Sequence, residues 1–349
     1  MKTIYDIAKI ANVAPSTVSR VLNGGKNVKK STMERVLAII EETGYIPNTL
    51  ARGLSVGGLN NIAFVVPDIN NQFFIMLLNG ISDMAKECGL NVFMFDTGED
   101  VQWEHRVLDS LTAEMIRGII IIPVVEENRE TKEKLTLFEE RGIPVVLIDR
   151  DIIGSGFDAV FSDDVKGSAQ AVECLLTEGH RDIAIITGPL TSRPGRERYE
   201  GYKSAMSEYG ITLNPDYEVC GGFRVQESCN AMKELMQLKH RPTAIFTSNN
   251  LTTLGCLKYM KEHNMRIGED ISLVGFDDIP ELAYTEISLT VVTRPVYDMG
   301  WNAMHLLKMR FPGEDMNDTN KHIVRRHLVK TSLIKRGSEK LGLLKQSER

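Results

Sequence analysis

Residues 3–25 read Thr3-Ile4-Tyr5-Asp6-Ile7-Ala8-Lys9-Ile10-Ala11-Asn12-Val13-Ala14-Pro15-Ser16-Thr17-Val18-Ser19-Arg20-Val21-Leu22-Asn23-Gly24-Gly25. Thr3-x-x-Asp6 has the form of a capping box, in which a hydroxyl accepts from the backbone three residues on and the acid reaches back. Ile7, Ala8, Ile10 and Ala11 then share one helical face. A break at Asn12-Val13-Ala14 leads to Pro15, which suits the first position of a second helix because proline lacks only an N–H that would be unpaired there. Asn23-Gly24-Gly25 stops that helix. A third opens at another capping box, Ser31-x-x-Glu34, turns Val36, Leu37, Ile39 and Ile40 inward, and ends at Gly44. Helix, tight turn, helix, loop, helix is the order of a helix-turn-helix head.

Outward from the head, residues 46–61 change character. Two helical turns could form over residues 47–54, followed by the flexible Gly57-Gly58-Leu59-Asn60-Asn61. So short a helix is unstable alone, since its costly nucleus is not recovered over eight residues. From residue 62 apolar strands alternate with amphipathic helices. The strands fall at 62–66, 91–95, 118–122, 145–149, 159–162, 183–187, 244–247 and 272–276, and the helices at 73–88, 102–114, 130–141, 166–178, 196–209, 226–238 and 251–263. Continuous apolar strands between helices imply parallel sheets covered on both faces. Two successive sets, divided near residue 160 with a crossover near 290, predict two similar α/β lobes. Residues just after each strand are therefore the ones to read for chemistry, because open α/β sheets bind ligands outside the carboxyl ends of their strands.

Composition narrows the function. At 349 residues, 42% hydrophobic and 25% charged, the chain is long enough for two or three globular domains, and disorder, collagen and a disulfide miniprotein are excluded. The longest apolar runs, such as residues 119–125, are a third of a membrane span, and Asp6 falls where a signal peptide needs apolar residues, so a cytoplasmic protein is expected. The five cysteines are widely spaced, without a C-x-x-C pair, and read as reduced thiols. Net charge is −6 but uneven: residues 1–58 hold eight Lys or Arg against four Asp or Glu, net +4, leaving 33 against 43, net −10, for the other 291. A basic head on an acidic body implies that the head alone meets a polyanion.

The head from Ile4 to Asn23, with Gly44-Tyr45-Ile46-Pro47-Asn48 and Ala51-Arg52-Gly53-Leu54, resembles the lactose-repressor/galactose-repressor (LacI/GalR) family of bacterial transcription regulators. The resemblance covers the whole chain: Val66-Pro67-Asp68, Gly188-Pro189, Arg198-x-x-Gly201-Tyr202, Arg241-Pro242-Thr243-Ala244 and Val274-Gly275-Phe276-Asp277-Asp278 follow the family's order and spacing. It implies an α/β protein with a three-helix head (1–46), a hinge (47–61), a two-lobed periplasmic-binding-protein-like body (62–338) and a tail (339–349). The implied activity is that of a sequence-specific, homodimeric repressor of a pseudo-palindromic operator in double-stranded DNA, controlled allosterically by a small carbohydrate. Neither an enzyme activity nor a cofactor, metal or membrane partner is implied.

By that resemblance the DNA-reading residues are Pro15, Ser16, Thr17 and Arg20, with Asn48 and Leu54 from the hinge. Arg20 could grip guanine O6 and N7 with its fork, or bind phosphate alone. Leu54 would wedge into a base step from the minor groove, or merely pack the hinge. Ala14 departs from the serine usual before the second helix, a lost cap worth about 1 kcal/mol. The effector-binding set is Asn71, Phe73, Phe74, Asp149, Arg150, Arg198, Phe223, Asn249, Asp277 and Arg294, where amides and charged forks suit sugar hydroxyls and aromatic faces suit the ring. Taken singly, Phe73 or Phe74 would more often be core. Two departures, Arg294 for a common glutamine and Asn250 for a common acid, make the pocket more basic. An unpaired guanidinium there would favour a sugar acid or sugar phosphate over a neutral sugar.

Gly154-Ser155-Gly156-Phe157-Asp158-Ala159 matches a dinucleotide fingerprint and raises the alternative of an NAD-dependent oxidoreductase with an appended head. That motif must follow a strand directly and open a helix, and here it does neither. The other alternative is a regulator controlled by a protein partner. Leu341, Leu343 and Leu344 are too few for the heptads of a tetramerising tail, so a dimer is expected. The hinge reading predicts that Leu54→Ala weakens specific operator binding far more than non-specific binding, measured by titration on operator and scrambled DNA. An equal loss on both would mark Leu54 as a packing residue.

Overall fold

The computed structural model describes residues 3–22, 28–45, 60–112, 115–311 and 323–340. The chain divides into two compact units, Met1–Leu59 and Asn60–Arg349.

The first unit carries α1 (Ile4–Ile10), α2 (Pro15–Leu22) and α3 (Lys30–Thr43). The Thr3–Asp6 capping box forms in both directions. Asn12 takes the turn in the left-handed region, φ 52°, where asparagine is among the best-tolerated side chains. The Ala14 carbonyl accepts from the Thr17 and Val18 amides, so α2 opens on backbone bonds behind Pro15. Ile7, Ala8, Ala11, Val18, Val21 and Val36 close a small core. Three expectations fail here. Lys29, not Ser31, precedes α3, and no side chain caps it, because the Lys29 carbonyl already accepts from Thr32 and Met33 and draws Ser31 into the first turn. Leu37 is 46% and Ile10 51% exposed: each lies about 100° around its helix from a fully buried neighbour. Asn48, Leu54 and the expected stop at Asn23-Gly24-Gly25 lie outside the described residues.

The second unit is two doubly wound lobes. The first runs β1 (Asn61–Val66), α4 (Gln72–Glu87), β2 (Asn91–Asp96), α5 (Val101–Ser110), β3 (Gly118–Ile121), α6 (Arg129–Glu140), β4 (Val145–Ile148) and β5 (Asp158–Ser162). The second runs α7 (Asp164–Thr177), β6 (Ile183–Thr187), α8 (Arg193–Glu208), β7 (Glu218–Cys220), α9 (Val225–Gln237), β8 (Ala244–Thr247), α10 (Asn250–Glu262), β9 (Ser272–Phe276) and β10 (Thr290–Thr293). The chain then returns through α11 (Val296–Met309), which packs on α4 and the first sheet, and ends in β11 (Arg326–Val329) and β12 (Ser332–Ile334). The sheets are ordered β11-β5-β4-β3-β1-β2 and β12-β10-β9-β8-β6-β7. All pairings are parallel except β10 with β12. Apart from the last strand the two orders are the same, so each lobe brings corresponding strand ends to the same edge.

The division expected near residue 160 falls after Ser162: β5 pairs with β4 and β11, so the strand at 159–162 belongs to the first lobe. The helix expected to reach Glu114 stops at Ser110, where Leu111 turns extended. Strands β7, β11 and β12 escape the apolar pattern because they are three or four residues long and lie at sheet edges, and β10 because its two valines are flanked by threonines. The Gly154–Ala159 motif lies in turn and strand, without a helix.

Residues 337–340 are stitched into the second lobe. Ser338 Oγ accepts from the Thr290 amide at 2.7 Å and donates to the Leu273 carbonyl at 2.6 Å, while its own carbonyl accepts from the Leu273 amide. Glu339, 3% exposed, accepts from Thr290 Oγ1 and the Gly337 amide. The expected tail boundary at 339 therefore falls inside folded structure. Truncation after Arg336 leaves the Thr290 and Leu273 amides unpaired, about 1–3 kcal/mol for each buried group. Relative to truncation after Lys340, it should lower the thermal unfolding midpoint by several degrees in calorimetry; equal midpoints would contradict this.

Candidate functional site

In the head, burial of Val18 and Val21 fixes which side of α2 faces outward. Ser16 and Arg20 are exposed, and Pro15 and Thr17 half-buried, so all four lie on or beside the face turned away from the core. A helix presenting its N-terminal residues and a guanidinium fork in this way has the form of a major-groove reader.

In the body, a cleft of about 280 Å³ opens where the carboxyl ends of the strands converge. All ten expected effector residues line it: Asn71, Phe73 and Phe74 after β1; Asp149 and Arg150 after β4; Arg198 on α8; Phe223 after β7; Asn249 after β8; Asp277 after β9; and Arg294 after β10. Asn71 and Asn249 cap α4 and α10, each side-chain oxygen accepting a backbone N–H from the first turn. Glu99, Asp149, Phe223 and Asp277 have φ between 57° and 65°. Four side-chain residues in the left-handed region around one cleft mark backbone strain, about 1–3 kcal/mol each, held by the surrounding fold. Phe223 reaches the cleft because Gly188 leaves room: a Cβ there would lie 2.1 Å from its ring.

Electrostatics overturn the expectation of an unpaired arginine. Arg294 is buried between two carboxylates: Nε and Nη2 donate to the two Asp277 oxygens at 2.8 and 3.2 Å, and Nη1 donates to Asp149 Oδ1 at 2.5 Å and Ser162 Oγ at 2.9 Å. Its Cζ lies over the Phe73 ring, 4.1 Å from the ring centre, so one face of that ring is already covered. Burial alone would raise the Asp149 pKa, but the guanidinium groups of Arg294, Arg198 and Arg150 outweigh it and hold the carboxyl below its ordinary value. Arg150 forms a two-pronged pair with Glu99 at 2.6 and 2.8 Å. Arg198 binds Asp164 at 2.9 Å and the Ser248 carbonyl at 2.6 Å. Four arginines (150, 198, 224, 294) face five acids (Asp68, Asp96, Glu99, Asp149, Asp277) along the lining, so there is no cationic surplus for an anion. The aromatic pair Phe73–Phe74 (5.2 Å, edge-on) belongs at once to the cleft and to the first lobe's core.

Two buried donors on arginines of the lining, Arg198 Nη2 and Arg150 Nε, have no hydrogen-bond partner among the described residues. Asn250, standing where an acid is common, donates across the cleft to Asn71 Oδ1 at 2.9 Å. Glu126, after β3, is paired with Arg196 on α8, and its amide donates to the Thr191 carbonyl of the other lobe. Sequence reasoning missed Glu99, Asp96 and Arg224, and met Asp68 only as part of the Val66-Pro67-Asp68 motif. Glu99 sits two residues into the Thr97–Asp100 turn, where an acid looks like ordinary turn composition and its left-handed φ carries no sequence signal. Among the described residues no His, Cys, Asp or Glu group could hold a metal, and no helix is long and apolar enough to cross a membrane.

Residues 3–48 match bacterial regulatory proteins of the lacI family, and residues 172–339 a periplasmic binding protein-like domain. The chain is 32% identical over 306 residues to catabolite control protein A of Priestia megaterium, covering 87% of this chain and 91% of that one. It is 30% identical over 307 residues to the ribose operon repressor of Escherichia coli strain K12, covering 88% and 92%. Its fold is similar to that of the lac repressor dimer bound to operator and the anti-inducer ONPF, with a TM-score of 0.80 and 24% identity over 97% of this chain and 99% of that one. With likeness spanning both head and body, the chain belongs to the lacI family of bacterial regulatory proteins, DNA-binding repressors governed by sugars or other small molecules.

Proposed function

We propose that this chain is a dimeric, cytoplasmic repressor without catalytic activity, which reads a pseudo-palindromic operator with α2 and its hinge and closes its body on a neutral, single-ring carbohydrate. The observation that carries the ligand class is the pairing of Arg150, Arg198 and Arg294 with protein carboxylates. A carboxylate or phosphate ligand could accept from the Arg198 and Arg150 donors but could not donate to the five acids of the lining and would be repelled by them, whereas hydroxyls can both accept from those donors and donate to acid oxygens. The cleft volume lies at the small end of the range for ligand pockets, which supports one ring over several. The dimer reading leans on the lac repressor likeness, whose operator complex is dimeric. Control follows from linkage: a ligand changes DNA affinity only by binding one lobe arrangement better than the other.

A thermal-shift screen of neutral monosaccharides, their acids and their phosphates, followed by titration calorimetry, checks the ligand class. A neutral sugar should raise the midpoint while its acid and phosphate do not; tight binding of an acid or phosphate alone would overturn the reading. Arg20→Ala should lose about 1–3 kcal/mol of discrimination at one operator position while leaving the body's ligand affinity unchanged, measured by binding to a panel of single-base operator variants. A uniform loss on every sequence, with a shallower salt dependence, would make Arg20 a phosphate contact.

A further inference from the structure

Asp149 and Asp277 are counterparts. Each follows the fourth strand of its lobe's five-strand run, β4 in one and β9 in the other, and each has φ 65°. Brought together across the cleft, two carboxylates would repel, and closing the lobes would require a proton or a ligand's donors between them. Arg294 stands between them on the segment that crosses back from β10 to α11, with one edge of its fork on Asp277 and Nη1 on Asp149 and Ser162. Both acids are thus joined by a protein cation that belongs to neither strand end.

We infer that Arg294 is a built-in tie between the lobes: it sets the closed spacing from within the protein and removes Asp149 and Asp277 as primary recognition groups for the effector. The effector is then selected by the groups outside the tie, Arg198, Arg150, Asn249 and the Phe73–Phe74 pair. The physical ground is that a ligand hydroxyl cannot easily displace a guanidinium held by three carboxylate bonds in a buried site, where charged hydrogen bonds are stronger than neutral ones. The selectivity half of the inference rests on the cleft being the effector site; the tie itself does not.

The Glu126 amide, bonded to the Thr191 carbonyl across the lobes, reports closure directly. Hydrogen exchange of the full-length protein, with no small molecule added, compares wild type with Arg294→Gln and with Asp149→Asn, which takes the negative charge from the first-lobe end of the tie while leaving Ser162 Oγ and the Arg294–Asp277 pair. Exchange at Glu126 should quicken by about tenfold or more in both variants, with amides inside the two sheets unchanged, as for a local opening. No change at Glu126 in either variant would overturn the inference. So would an equal loss at Glu126 and in the sheets, or failure of both variants to fold, since these would make the cluster a stability element only. Because the readout needs no effector, a wrong ligand class leaves this test standing, and loss of the tie leaves the ligand screen standing.

Discussion

A guanidinium buried between two carboxylates organises the body of this protein. Taking such charges out of water is costly, and the arrangement persists only when each is paired and hydrogen-bonded. Here the pairing is satisfied: Arg294 meets Asp277 with two nitrogens and Asp149 and Ser162 with a third. Removing one member of such a cluster strands the others, at about 3–5 kcal/mol for a buried pair broken on one side. The cluster is possible because two sheets of matching strand order deliver their fourth-strand acids to facing edges, and because the crossover segment passes between them. Strain at Asp149, Phe223 and Asp277 is tolerated for the same reason, since the packed strand ends leave those residues no relaxed alternative.

Much of this is legible in the sequence. The strands β1, β3, β4, β6, β8 and β9 announce themselves as unbroken apolar runs, and they do so because they are buried on both faces. The family resemblance named Asp149, Asn249 and Asp277, and each lies one or two residues after such a run, at the carboxyl end of a parallel sheet where its helices leave room. What failed was non-local. Which lobe owns β5 depends on pairing with β4 and β11, the latter more than 160 residues away, and no period in the local sequence encodes it. Arg294 could be placed at a strand end, but its charge partners lie 17 and 145 residues distant, and local reading could not show that both face it. Ser31 failed as a cap because the helix starts two residues earlier, where the Lys29 carbonyl accepts from Thr32 and Met33.

The head follows a different logic. Its core is small, built from Ile7, Ala8, Ala11, Val18, Val21 and Val36, and in the proposed function its exposed α2 residues carry information instead of stability. Coupling between such a head and a two-lobed body has to be a difference in free energy between lobe arrangements, since a ligand that binds both equally moves nothing. Cross-lobe contacts such as Asn71–Asn250 and Glu126–Arg196 are the groups whose making and breaking can carry that difference.

The most direct test of that coupling is its reciprocity. With whichever neutral sugar binds the cleft, operator affinity is measured with and without saturating sugar, and sugar affinity with and without saturating operator. The account predicts that the two factors are equal and clearly different from one, as linkage requires. Saturating the cleft with sugar while operator affinity stays unchanged would contradict it.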